Sequence, residues 1–249
     1  MKLNSNIKNL SSEELQKLQE RFIVTGSVTI TNFLDEEYAN TLEEFFNTTM
    51  PEEWWSAASY PTETGDISYI RNYPQNSEAI QNAKNYADSF FYNDSLAKGN
   101  SGRISYHFYR TVGDHVVNCW CIECKFREWL LSDELLGFLN LITGDTFVSF
   151  NTTFASRYSE GSFLSPHTDY SNGDIGFVYQ LTKGWKPQWG GVLHFMDDAG
   201  KTITGSQVPT FNSLTLFHLP DKNGKWHYVS HVNPGVKSNR IAYTGWFKK

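Results

Sequence analysis

Apolar positions in the first half of the chain recur at helical spacing in some stretches and alternate in others. Ser11 and Glu14 form a capping box, which predicts a short helix through about Phe22. FIVTGSVTITNF is β-branched and aromatic, which suits a strand. Leu34, Tyr38, Leu42, Phe45 and Phe46 then fall at helical spacing, with Asp35 placed to cap the N-terminus. A second amphipathic stretch runs from about Ser77 to Leu96, and RISYHFYRTV (103–112) alternates as a strand. KFREWLLSDELLGFLNLITG reads as one helix, ended by Gly144 at a C-cap position.

From Asp145 onward the texture changes. TFVSFNTTFASRY, IGFVYQLT, GVLHFM, SLTLFHL, WHYVSHV and RIAYTGWF are short strand-like runs separated by turn signals such as NGD, DDAG, DKNG and NPG. Strands at this spacing indicate a sandwich or barrel, of which the double-sheet jelly roll is one solution. The expectation is a mixed α/β protein with N-terminal helices packed on a double-stranded β-helix (jelly-roll) core. No linker divides the chain. Residues 1–249 are therefore expected to form one domain, with helical support over about 1–144 and the jelly roll over about 145–249. The 8 Trp, 13 Tyr and 18 Phe are enough to fill a sizeable core or line a pocket.

The net charge of −6 argues against a nucleic-acid partner, which would favour a basic patch. No run approaches the ~18 apolar residues of a membrane span. The opening MKLNSNIKNLSSEELQ has no apolar signal-peptide core, so a cytoplasmic protein without a membrane partner is expected. The pattern does not address oligomeric state. Cys119, Cys121 and Cys124 form C-x-C-x-x-C, but a structural zinc normally takes four ligands and no other cysteine exists. With His115 as the one nearby candidate to complete it, the cluster reads as partly buried thiols in a reducing compartment.

Chemistry concentrates in the second half. His167-Thr168-Asp169 is followed by WHYVSHV with His227 and His231, then by Arg240. Two imidazoles and a carboxylate on one face of a metal leave positions open, the facial triad of non-haem Fe(II) oxygenases. H-x-D alone is a weak signal, since a turn histidine beside an aspartate also produces it. His227 and His231 are four residues apart, so strand alternation puts both on one face and does not choose between them. Arg240, Ala242, Thr244 and Trp246 share a strand face. His107, His115, His194 and His218 match no ligand position, though His107 in YHFYR is a candidate to line a pocket.

The surroundings are more specific. RYSEGSFLSPHTD resembles the Y-x-x-G-x-x-x-x-H-x-D stretch of the prolyl 4-hydroxylase-like branch of the Fe(II)/2-oxoglutarate dioxygenases, through Tyr158, Gly161, His167 and Asp169. Gly190-Gly191 with Leu193, the PTFNSLTLF run, HYVSHV as H-x-V-x-x-V, Arg240 and Gly245-Trp246-Phe247 follow in order. The resemblance spans about Asn151 to Phe247. It implies Fe(II) held by His167, Asp169 and His227, the last because it starts H-x-V-x-x-V. It also implies 2-oxoglutarate paired through its distal carboxylate with Arg240 and hydrogen-bonded by Tyr158. Many relatives carry Ser or Thr where this chain has Ala242, leaving Thr244 as the substitute contact.

The activity implied is O2-dependent oxidative decarboxylation of 2-oxoglutarate to succinate and CO2, coupled to oxidation of a substrate C–H bond, with ascorbate a possible auxiliary. Related halogenases have a small residue at the Asp169 position, so its carboxylate here implies hydroxylation. The expected substrate is an amino acid, free or in a peptide, such as proline or lysine, with Trp54, Trp55, Trp185, Trp189 and the polar YHFYR strand (106–110) as candidate pocket walls. Two rival readings are a non-catalytic β-sandwich binding module of cupin or lectin type, and a zinc hydrolase. The second lacks an H-E-x-x-H motif.

Overall fold

In the computed structural model of the chain, residues 1–91, 104–111, 119–169, 172–219 and 225–249 are described. Two helices open it, α1 (Ser5–Lys8) and α2 (Ser12–Thr25), followed by β1 (Ser27–Thr31) and α3 (Glu36–Glu44). The Ser11–Glu14 capping box forms as its sequence dictates, and Asp35 caps α3 by accepting from Glu37 N at 3.3 Å. Next come β2 (Trp55–Tyr60), β3 (Ser68–Ile70), α4 (Glu78–Asp88), β4 (Tyr106–Thr111), α5 (Ile122–Trp129) and α6 (Asp133–Thr143). The second half supplies β5 (Ser149–Tyr158), β6 (Phe163–His167), β7 (Ile175–Gln180), β8 (Leu193–Met196), β9 (Ile203–Gln207), β10 (Ser213–His218), β11 (His227–Val229) and β12 (Arg240–Lys248).

The helix expected over 125–144 is in fact two. The chain turns after Trp129, where Leu131 N bonds Glu128 O and Ser132 N bonds Trp129 O. Ser132 then restarts the helix by accepting from Leu135 N at 3.3 Å. A serine oxygen competes with the backbone for the orphan N–H groups of a first turn, so it favours a cap over a helix interior. Gly144 ends α6 at φ +76°, a left-handed position that glycine adopts without a Cβ penalty. The part of the 77–96 stretch beyond Phe91, and the ends of the 103–112 strand, lie outside the described residues.

All the strand pairs are antiparallel, in the order β1-β10-β7-β12-β5-β4-β6-β11-β8-β9, with β2 on β4 and β3 on β2. This curled sheet is a double-stranded β-helix. The strands of the first half are part of it, so the expected boundary near 145 does not separate helical support from sheet. Alternation along β12 divides the interior in two. Ile241, Tyr243 and Phe247 face the helices, where they join Phe33, Phe126 and Leu139 in the large core. Arg240, Thr244 and Trp246 face inward, lining a cavity with Phe154, Tyr158 and Phe217. Among the described residues, no helix is long and apolar enough to cross a membrane.

Candidate metal centre and its cavity

The inward face surrounds a cavity of about 360 Å³, and sheet register brings the distant histidines together in it. On neighbouring strands β6 and β11, His167 pairs directly with His227. Opposed residues of antiparallel strands hold their Cβ atoms about 5 Å apart, and the two rings here lie 4.3 Å apart between centroids. Asp169, two residues past His167, completes the cluster. Its Oδ1 is 3.3 Å from His167 Nε2 and its Oδ2 is 3.4 Å from His227 Nε2. All three residues are buried.

The hydrogen bonds around the rings fix what they offer. His167 Nδ1 lies 2.9 Å from Ser165 O, and His227 Nδ1 lies 2.8 Å from Lys225 O. A carbonyl only accepts, so each Nδ1 carries a proton and each ring turns its Nε2, the nitrogen left to bind a metal, toward Asp169. Burial alone would raise the Asp169 carboxyl, but the two imidazoles outweigh it and hold it well below the usual carboxylate range. Two nitrogen lone pairs and an ionised carboxylate converge on one buried point. Such a donor set fits a divalent cation, and carbonyl-oriented imidazoles are the usual outer support of metal-binding histidines.

Trp246 Nε1 donates to Asp169 Oδ2 at 2.9 Å, and Asn172 Nδ2 to Oδ1 at 3.4 Å. The role of Trp246 went unread in the sequence, although its shared face with Arg240 placed it inside. His231 is elsewhere. Its Nε2 lies 2.7 Å from Asp88 Oδ1, and its ring stacks on Phe163. β11 ends at Val229, so the alternation that would have kept His231 on the same face stops before reaching it.

Arg240 stands at one end of the cavity, paired across β12 and β5 with Tyr158. It is 2% exposed, its Cζ lies 4.8 Å from the centre of the Tyr158 ring, and its Nε is buried without a hydrogen-bond partner. No carboxylate among the described residues pairs with it. A buried guanidinium lacking a counter-charge is costly unless an anion joins it, so the position fits a dicarboxylate's far end. Burial pushes the Tyr158 phenol up to about 12 despite Arg240, keeping it a neutral hydrogen-bond donor. Thr244 lines the cavity, but its hydroxyl donates to Phe177 O at 2.8 Å.

Two sequence expectations need correction. His107 points to the opposite face of β4, where its Nδ1 meets Ser59 Oγ at 2.7 Å and burial depresses its pKa to about 3. Trp54, Trp55, Trp185 and Trp189 do not line the cavity; Trp55 packs in the helical core and Trp185 behind the cavity wall, in one cluster with Tyr158, Leu193 and Phe217. Of the expected walls, the YHFYR strand does line it, through Tyr106, Phe108 and Arg110 of β4, and Trp246 joins them. Cys119, Cys121 and Cys124 form no disulfide and are partly or fully buried, in keeping with their expected reading as partly buried thiols, while His115 lies outside the described residues.

The fold and the site together present one buried His-Asp-His cluster of the kind that holds a single metal ion on one face. Residues 153–248 match the model of the 2OG-Fe(II) oxygenase superfamily. That superfamily's description implies Fe(II), 2-oxoglutarate and O2, and His167, Asp169 and His227 in the matched segment are a donor set that fits the iron. Solved structures share its fold at low identity. A Burkholderia pseudomallei oxidoreductase of the 2OG-Fe(II) oxygenase family is 12% identical, with TM-score 0.59, over 96% of this chain and 93% of that one. A Trichoplax adhaerens prolyl hydroxylase, solved with a hypoxia-inducible-factor oxygen-degradation-domain peptide, is 16% identical, with TM-score 0.56, over 97% and 94%. A Pseudomonas putida prolyl-4-hydroxylase is 16% identical, with TM-score 0.51, over 94% and 98%. No curated protein matches the chain at a significant level.

Proposed function

We propose that the protein hydroxylates a C–H bond of an amino acid, free or within a peptide, with His167, Asp169 and His227 as the iron ligands. Arg240 and Tyr158 receive 2-oxoglutarate. The observation that carries this reading is the convergence of two Nε2 atoms and a carboxylate in the same cavity as a buried guanidinium with no carboxylate partner among the described residues. Bound there, Fe(II) would supply the oxidative decarboxylation of 2-oxoglutarate to succinate and CO2, coupled to oxidation of the substrate.

The chain's own residues orient and protect that chemistry. The Ser165 and Lys225 carbonyls hold the imidazoles in the metal-binding tautomer. Trp246 and Asn172 fix the plane of the Asp169 carboxylate. The Arg240 fork can grip a carboxylate through two parallel bonds, which a lysine could not reproduce. Leu193, Phe217 and Val229 keep the inner wall apolar, limiting water around the reacting groups. Asp169 occupies the ligand position that a halide would need, which supports hydroxylation over halogenation.

The test is anaerobic titration of the protein with Fe(II) and 2-oxoglutarate, watching for the weak visible charge-transfer band of the pair. The expected result is a saturable band that His167→Ala and His227→Ala abolish and His231→Ala retains. A wild-type protein without a band, or His231→Ala losing it while His227→Ala keeps it, would overturn the assignment.

A further inference from the structure

The cavity holds a second cation that neither iron nor 2-oxoglutarate accounts for. Arg110 belongs to the inward-facing series Tyr106, Phe108, Arg110 of β4 and is half-buried. Its Cζ lies 3.8 Å from the centre of the Phe154 ring, and its Nε is buried without a hydrogen-bond partner. No acidic side chain among the described residues forms an ion pair with it. Glu123, which shares a small outer cleft with Arg110, is instead bound by Thr111 Oγ1 at 3.3 Å. Asp169 is committed to His167, His227, Trp246 and Asn172. A guanidinium laid on an aromatic face keeps its in-plane N–H edge free, and that planar fork matches a carboxylate.

Its place separates it from the cosubstrate. Along β5, Tyr158 faces Arg240 across the sheet. Phe154 is four residues away, roughly 13 Å of strand. Phe154 packs on Trp246 at 6.1 Å between ring centres, and Trp246 donates to Asp169. Arg110 therefore stands over the Phe154–Trp246 end of the cavity, while Arg240 closes the other. One dicarboxylate reaching from Arg240 to the metal leaves Arg110 for a different anion. The two arginines against the single Asp169 leave the cavity short of negative charge.

We propose that Arg110 recognises the substrate through a free carboxylate, so that the substrate is a small carboxylate such as a free amino acid rather than a residue inside a peptide. This rests on the oxygenase site described above and narrows its substrate class. Losing hydrogen bonds between charged partners in a desolvated site costs roughly 10- to 100-fold in affinity or kcat/KM.

The experiment gives the Fe(II)- and 2-oxoglutarate-loaded enzyme a panel of L-amino acids, each also supplied as its α-carboxamide and within a glycine-flanked tripeptide. Succinate release is read in air, and melting-temperature shifts are read without oxygen. At least one free amino acid is expected to stimulate succinate release, with its carboxamide and tripeptide roughly tenfold or more poorer in kcat/KM. Arg110→Met should drop the free acid to the carboxamide level, and Arg110→Lys should restore part of the preference. The 2-oxoglutarate charge-transfer band should persist in both variants with affinity within about twofold, which also shows that they fold. Equal turnover of the tripeptide, an acid preference that survives Arg110→Met, or no response to any free amino acid would each overturn the proposal. Weakening of the 2-oxoglutarate band by Arg110→Met would reassign Arg110 to the cosubstrate. Absence of the band in the wild type would instead remove the site reading on which the proposal stands.

Discussion

Trp246→Phe isolates one hydrogen bond at the metal centre. The indole Nε1 donates to Asp169 Oδ2 at 2.9 Å, and Trp246 otherwise packs on Phe154, a contact that phenylalanine can largely preserve. A hydrogen bond to a buried ionised acceptor contributes about 1.5–3 kcal/mol net. That corresponds to roughly 10- to 100-fold in an equilibrium constant, the range in which supporting partners of metal ligands act. With this bond gone, Asn172 at 3.4 Å is the remaining side-chain donor to a carboxylate that must keep its plane toward the metal. The expected outcome is Fe(II) affinity weakened roughly 10- to 100-fold, measured by titrating the metal against the 2-oxoglutarate band. The limiting band intensity should be retained, because His167, Asp169 and His227 are intact. Melting of the metal-free protein should fall by only a few degrees. If Fe(II) affinity is unchanged while the apo protein loses several kcal/mol, Trp246 is a core residue and the reasoning fails.

Arg240→Lys should raise the 2-oxoglutarate KM roughly 10- to 100-fold, with Fe(II) affinity little changed, because the charge stays but the fork does not; succinate assays across cosubstrate concentrations check it. Glu52 bonds the buried Arg157 guanidinium at 2.7 and 2.5 Å, and that partner draws its carboxyl below the usual value. A depressed folded-state pKa means stability present above the unfolded value of about 4.3 and lost as pH falls through the folded one. Because Glu52 is largely exposed, Glu52→Gln should cost only about 1 kcal/mol at pH 7 by urea denaturation, and the gap to wild type should close toward pH 3. Gly190 has φ +74° and ψ −152°, a region open essentially to glycine, and an added methyl would collide with the His231 carbonyl. Gly190→Ala should therefore cost about 3–5 kcal/mol or leave the protein insoluble, read from urea midpoints or soluble yield.

The parts of the site legible in the sequence are those with local grammar. His167 and Asp169 are two residues apart, and Arg240, Thr244 and Trp246 follow one another at the period of a strand, so their shared facing could be read without a fold. The capping box at Ser11 and the left-handed stop at Gly144 are local in the same sense. What resisted reading depends on partners far along the chain. The separation of His227 from His231 arises because β11 ends at Val229 and the chain leaves the sheet, carrying His231 to Asp88, 143 residues away. The break between α5 and α6 was masked because LLSDELL keeps helical spacing straight through the Ser132 cap.

Arg110 shows most clearly where such local reading stops. Alternation could place it on the face of β4 with Tyr106 and Phe108, yet nothing in YHFYR says which face of that strand meets the cavity. The choice is made by pairing: β4 is inserted between β5 and β6, with Arg110 opposite Ser156 and Tyr106 opposite Leu164. Those two partners both line the metal-site cavity, so one strand of the first half carries a cation into a cavity built mainly by the second. The residues proposed to hold the cofactors are thus clustered in the segment with the recognisable motifs. The residue proposed to select the substrate comes from outside it, which is why the motifs identify the chemistry and leave the substrate to the register of a single strand.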